Sequence, residues 1–209
     1  MAELFTQRGR TLYGDGHVKV TKLLDGQATT SGIEQALAGI AKTARAQDTL
    51  LVFLAGHGTV LGQRYYFIPH EYQTRSDKLE EDIRQQGLAG DVLGDWLAAV
   101  PALKRVVIFD TCQSGGAISL ERTARSPFAF RGALERLSRA QGIFTIAATA
   151  AGDEAQEVPE LGHGVLTYAL LAGLGAVDSG PLKQQAIEPK EGKLVEVRDW
   201  FAFAQDKVP

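Results

Sequence analysis

The chain has one cysteine, Cys112, in 209 residues. A single thiol makes no internal disulfide, which excludes a secreted, disulfide-stapled scaffold. Redox exchange within a dithiol pair is excluded with it. Histidine is scarce too: His17, His57, His70 and His163 stand without metal-ligand spacing, so no metal site is expected. No apolar run approaches the roughly 18 residues needed to span a bilayer. The opening "MAELFTQRGR" lacks the apolar core of a signal peptide. Positive charge is not in excess, since 22 Lys and Arg against 25 Asp and Glu give a net charge of −3. Nucleic-acid binders normally show a basic face. The expectation is a cytoplasmic protein that binds neither nucleic acid nor membrane.

What the chain does have is apolar mass. At 44% hydrophobic it can bury a core, and its length suits one domain over residues 1–209. "AELFTQRGRTLY" suggests a short helix, and "HVKVTKLL", with some alternation, a strand over 18–24. "TTSGIEQALAGIAKTARAQ" reads as a helix capped by Thr30 or Ser31, with Ile33, Leu37 and Ile40 on one face. "DTLLVFLAGHG" is a compact strand, and "QRYYFIP" pairs with it in a hairpin. Residues 71–90 are charged and poorly periodic, so mostly loop, with Glu80-Glu81-Asp82 a solvated run. "DVLGDWLAAV" is a helix stopped by Pro101, and "KRVVIFD" is the next strand. Residues 113–130 look like a long mobile loop, followed by an amphipathic helix "RGALERLSRAQ". "GIFTIAATA" is a third buried strand and "GVLTYALLAGL" a helix of little polarity. A loop over 175–192, a weak strand "KLVEV" and a helix "RDWFAFAQDKV" close the chain. Continuous apolar strands alternating with helices predict an α/β fold, with a mostly parallel sheet covered on both faces.

In such sheets ligands bind outside the carboxyl ends of the strands. That rule selects residues. One strand ends at Gly56-His57-Gly58, one at Asp110-Thr111-Cys112, and one near Gly152-Asp153-Glu154, with Glu157 just beyond. A free thiol titrates near ~8.5 and becomes a nucleophile when a histidine lowers that value. The flanking glycines allow close backbone approach to a substrate. The N–H groups of Gly58 and Cys112 are candidates for an oxyanion hole, where one donor is worth roughly 10²–10³ in rate. A lone cysteine is otherwise a small buried hydrophobe, but this one has polar neighbours Thr111, Gln113 and Ser114. A phosphatase-type loop would want an arginine at position 118, which is isoleucine, and no Gly-x-Ser-x-Gly occurs.

The stretches "FLAGHG", "IFDTCQSGG", "TIAATAAGDEAQE" and "LGHGVLTYALLAGL" resemble, in this order, the histidine motif, cysteine motif, groove strand and following helix of the caspase-like cysteine peptidases. That superfamily includes caspases, metacaspases and paracaspases. The resemblance runs from about Val18 to the end. It implies a three-layer α/β sandwich and peptide-bond hydrolysis, with Cys112 as nucleophile and His57 as acid/base. Caspases that cut after aspartate carry glutamine two residues before the cysteine. Asp110 stands there instead, as in the metacaspases and paracaspases, which cut after arginine or lysine. A carboxylate at a pocket floor pairs with guanidinium or ammonium and repels a substrate aspartate. The resemblance places Glu157 as a second pocket acid, ahead of Asp153 and Glu154, and Ala148 in the groove strand, with the substrate strand lying along residues 146–151 by addition to the sheet edge. His163, before a helix, is read as a helix-start residue, and His17 and His70 as surface or turn residues.

No cofactor is implied. Some metacaspases need calcium, yet no oxygen-rich loop offers it a site. The superfamily usually opens with a central strand, and none precedes residue 18. The resemblance therefore implies a fragment truncated at both ends, with flanking domains in a longer chain. One metacaspase pocket acid would belong to the missing opening segment. The expected partner is a protein or peptide with Arg or Lys before the scissile bond. Arg122, Arg125 and Arg131 are candidate self-cleavage sites. The alternatives are a caspase-fold pseudoenzyme kept for partner binding, or another thiol-dependent amide hydrolase or acyltransferase.

Overall fold

A computed structural model describes residues 1–75, 77–113, 132, 135, 143–148, 157–158, 163–189 and 194–208. Most of the expected loop over 113–130, the expected helix over 131–141 apart from Gly132 and Glu135, which are helical, and Asp153, Glu154, Arg122, Arg125 and Arg131 lie outside the described residues. The chain divides into two compact units, Leu23–Gln156 and Met1–Lys22 with Glu157–Pro209.

The Leu23–Gln156 unit is built on a five-stranded sheet. Strand β1 (Thr49–Leu61) runs parallel to β4 (Lys104–Gln113), which runs parallel to β5 (Ile143–Ala147). β1 also turns through Gly62-Gln63 into the antiparallel β2 (Arg64–Ile68), with Gly62 at φ 63. Glycine at the first central position suits that two-residue hairpin, because the conformation is left-handed there. A short antiparallel strand, β3 (Leu88–Ala89), completes the order β3-β2-β1-β4-β5. The α/β class is as expected. The three long strands are parallel, and the two hairpin-side strands make the sheet mixed.

Both faces of this sheet are covered. Val106, Val107, Ile108 and Phe109 are all buried, which is why β4 reads as a continuous apolar run. On one face, Ile33 and Leu37 of α2 (Thr30–Ala41) and Leu93 and Leu97 of α4 (Gly90–Ala99) pack with Leu54, Tyr65, Phe67, Val107 and Phe109. On the other, Ile83 of α3 (Leu79–Gln86) packs with Tyr66, Ile68 and Ala89. The alternation Tyr65/Phe67 against Tyr66/Ile68 shows β2 feeding both clusters. Each fully buried Leu or Ile contributes roughly 1.5–3 kcal/mol. The α4 helix ends before Pro101, and Arg105 Nη2 donates to Val100 O at 2.9 Å, satisfying a carbonyl at that end.

Four local expectations need correction. The α2 cap is Thr29, not Thr30 or Ser31. Its extended backbone (φ −89, ψ 160) lets Oγ1 accept from Gly32 N at 2.9 Å, while Thr30 N donates to Glu71 Oε1. Residues 18–24 form no strand, and Val20 and Leu24 are exposed. Alternation marks a face but supplies no pairing partner. Residues 79–89 are not loop: α3 forms because Leu79 and Ile83, four apart, suffice to dock it, with Ile83 fully buried. Glu80 and Glu81 are exposed, but Asp82 is buried and accepts from Arg75 N at 2.9 Å. Of the "KLVEV" segment, the described residues 194–197 hold a bridge at Leu194 and the start of a helix at Val197 in place of a strand.

In the second unit, α5 (Val165–Gly173) is buried from Leu166 onward, as its low polarity predicts. Trp200 of α6 (Val197–Lys207) donates its indole N–H to Leu170 O at 2.8 Å and stacks edge-on against Phe5 of α1 (Ala2–Tyr13). Tyr168 Oη donates to Ser179 O and accepts from Leu182 N, pinning the loop after α5. Two short antiparallel strands, β6 (Glu157–Val158) and β7 (His163–Gly164), belong to this unit.

Candidate active site at the ends of β1 and β4

The parallel ladder between β1 and β4 holds its register from Thr49↔Lys104 to Gly58↔Gln113. Within it, Ala55 pairs with Asp110, Gly56 with Thr111, and His57 with Cys112. Neighbouring strands lie about 4.8 Å apart, and laterally paired positions share a face. Positions 57 and 112 are therefore adjacent, with Cys112 near the carboxyl end of β4 and His57 near the end of the β1–β4 ladder. β1 itself does not end at Gly56-His57-Gly58, as its sequence suggests, but runs on to Leu61 because residues 57–61 pair with β2. Alternation along β4 puts position 110 on the same face as 112, and 109 and 111 on the other. His57 is exposed, Asp110 half-buried and Thr111 fully buried.

The glycines around His57 do different work. Gly56 has φ 143, a conformation that side-chain-bearing residues rarely adopt, so glycine is required where the strand departs from regular geometry. Gly58 is buried, and a Cβ there would lie 2.5 Å from Tyr65 Oη. Its lost side chain thus makes room for Tyr65 in the core. The glycine serves the core, where its place beside His57 suggests close approach of a substrate. Tyr65 Oη and Thr111 Oγ1 lie 3.2 Å apart, and the Tyr65 ring meets Phe109 edge-on. Burial raises the Tyr65 phenol well above its ordinary value, against the smaller opposing effect of the Thr111 hydrogen bond. Tyr65 and Thr111 were not among the expected site residues. The available signals were a tyrosine pair opposite a glycine-flanked histidine, and a hydroxyl between Asp110 and Cys112.

Ala148 is buried, and its N–H donates to Phe109 O at 2.9 Å. Its backbone donor therefore faces β4. In a parallel ladder alternate residues turn their polar groups to opposite sides, so positions 145 and 147 face away from β4. A substrate strand along the outer edge of β5 would pair with those positions rather than with the main chain of Ala148. Glu157 pairs with Gly164 and His163 with Val158 in the β6–β7 ribbon of the other unit. His17 and His70 are exposed. Among the described residues, no group of three His, Cys, Asp or Glu is arranged to hold a metal ion. No helix among them is long and apolar enough to cross a membrane.

The five-stranded mixed sheet with helices packed on it defines an α/β protein, in which positions 57 and 112 are register partners. The caspase domain family model matches residues 1–208, and the chain belongs to that family of cysteine peptidases. Comparison with curated proteins and with solved structures found no match.

Proposed function

We propose that this protein is a cysteine endopeptidase that cuts after arginine or lysine, using Cys112 and His57 as a dyad. The observation that carries the reading is the register pair His57↔Cys112 at the carboxyl edge of the sheet. The Cys112 thiolate attacks the scissile carbonyl carbon, and the developing oxyanion is held by the N–H groups of Gly58 and Cys112. Collapse breaks the C–N bond, and His57 gives its proton to the leaving amine. Water, deprotonated by His57, then attacks the thioester and releases the acid and the thiol. Thiol, imidazole and water balance this cycle, so it requires no cofactor.

Asp110 supports the basic specificity. It is half-buried two positions before Cys112 and on the same face, where a carboxylate attracts guanidinium and repels carboxylate. Glu157 is the proposed second pocket acid. The partner is a protein or peptide substrate in the cytoplasm, laid along β5 by strand addition at positions 145 and 147. The paracaspase and metacaspase branch is the subtype that Asp110 favours.

Fluorogenic peptides ending in Arg, Lys or Asp, offered to the protein and to Cys112→Ala, test the reading. Cleavage of the Arg and Lys peptides, lost in Cys112→Ala, is the expected result. Cleavage of the Asp peptide instead would overturn the specificity. No cleavage of any peptide would leave a partner-binding module.

A further inference from the structure

Tyr65 is a fully buried residue with no part in the chemistry above. Its register partner on β1 is Val60, yet its hydroxyl reaches across β1 to Thr111 Oγ1 on β4, at 3.2 Å. The crossing is possible because position 58 lacks a side chain: a Cβ there would be 2.5 Å from Tyr65 Oη and 2.9 Å from Cε2. Phe109 holds the ring from below, with 5.2 Å between centroids and 74° between planes. Gly58 and Thr111 are the sequence neighbours of His57 and Cys112. The β1–β4 ladder ends at Gly58↔Gln113, where β1 goes on to pair with β2, and Gly56 just before is distorted. The point where β1 parts from β4 therefore gains from a tie, and Tyr65 supplies one on the face opposite positions 57, 110 and 112.

We propose that Tyr65 is a positioning residue, whose bond to Thr111 and contact with Gly58 lock the end of the β1–β4 ladder so that His57 and Cys112 stay in catalytic register. The proposal rests on the peptidase reading, since it assigns the tie to that dyad. With Thr111 fully buried, no water replaces the lost hydroxyl when Tyr65 is truncated.

The test compares Tyr65→Phe, Thr111→Val, Thr111→Ser and the double variant Tyr65→Phe/Thr111→Val. Misplacing a reacting group by about 1 Å costs up to about a hundredfold, so kcat falls at least about tenfold in the first two, with KM within about twofold. Thr111→Ser keeps the hydroxyl and keeps kcat. The double variant removes both hydroxyls of that bond together and regains thermal stability relative to the single variants. It does not regain kcat. A readout independent of peptide cleavage is the pH profile of iodoacetamide alkylation, clean because Cys112 is the only thiol. Its midpoint lies below the ordinary ~8.5 in the unsubstituted protein and moves up in Tyr65→Phe and Thr111→Val. Unchanged kcat and midpoint in both single variants would overturn the tie while the peptidase reading stands. Recovery of kcat with stability in the double variant would also overturn it. If the unsubstituted protein cleaves no peptide, the peptidase reading fails and the alkylation midpoints still decide on Tyr65.

Discussion

Tyr65 lies so close over Gly58 that a Cβ at position 58 would sit 2.5 Å from its hydroxyl and 3.0 Å from Cζ. The glycine after His57 is thus a packing requirement of the core as well as a neighbour of the proposed chemistry. Gly58→Ala is expected to cost roughly 1–3 kcal/mol of stability through overpacking, read as a lower urea midpoint. A glycine needed only for substrate approach would give a variant of ordinary stability.

Asp110 sets the proposed preference. Asp110→Asn keeps the shape and removes the charge. Loss of a charge partner to a bound guanidinium costs about 2 kcal/mol or more, so kcat/KM on arginine peptides should fall at least about thirtyfold. Activity on a peptide with an uncharged residue at that position should change little. An equal loss on both peptides would mean that Asp110 supports the fold, not the specificity.

Ile83 anchors α3 to the β2–β3 side of the sheet and is fully buried. Ile83→Ala should cost about 2–5 kcal/mol. Denaturant unfolding measures that loss. A cost near zero would mean that α3 is held by its polar contacts alone.

Arg64 and Asp91 form a two-pronged pair on the surface, with Nε to Oδ1 at 2.7 Å. The hydrogen bonds from Arg64 hold the Asp91 carboxyl below its ordinary value, outweighing the opposing effect of burial. A lowered folded value means that stability is present above the unfolded value and is lost as pH falls through the folded one. Both side chains are about half exposed, so the contribution is at most about 1 kcal/mol. The stability difference between the protein and Asp91→Asn should therefore shrink below about pH 4 and in high salt. A difference that persists in acid would contradict this assignment.

The sequence showed the strands and most helices because their apolar runs are buried on one or both faces. Leu50–Leu54, Val106–Phe109 and Leu166–Leu171 carry that signal directly. It missed α3, whose docking rests on Leu79 and Ile83 among nine otherwise polar or glycine neighbours over 77–87. It read a strand at 18–24, because alternation says nothing about a pairing partner. The positions of the proposed dyad were legible as a glycine-flanked histidine and a cysteine after apolar runs, and the register brings them together, although β1 continues past His57 to Leu61 where the sequence suggested an end. The Tyr65–Thr111 contact was not legible. It depends on a side chain that crosses one strand to reach the next, which no local pattern encodes.

The most direct test of the central claim is intact-protein mass spectrometry after incubation with a peptidyl-arginine acyloxymethyl ketone. A thiol activated beside His57 in a basic-specific groove should take up one adduct, mapped to Cys112. Formation of that adduct should be strongly slowed in His57→Ala and by competition from an arginine peptide added beforehand, while an aspartyl probe labels poorly. No adduct at Cys112, or equal labelling by the aspartyl probe or in His57→Ala, would contradict the account.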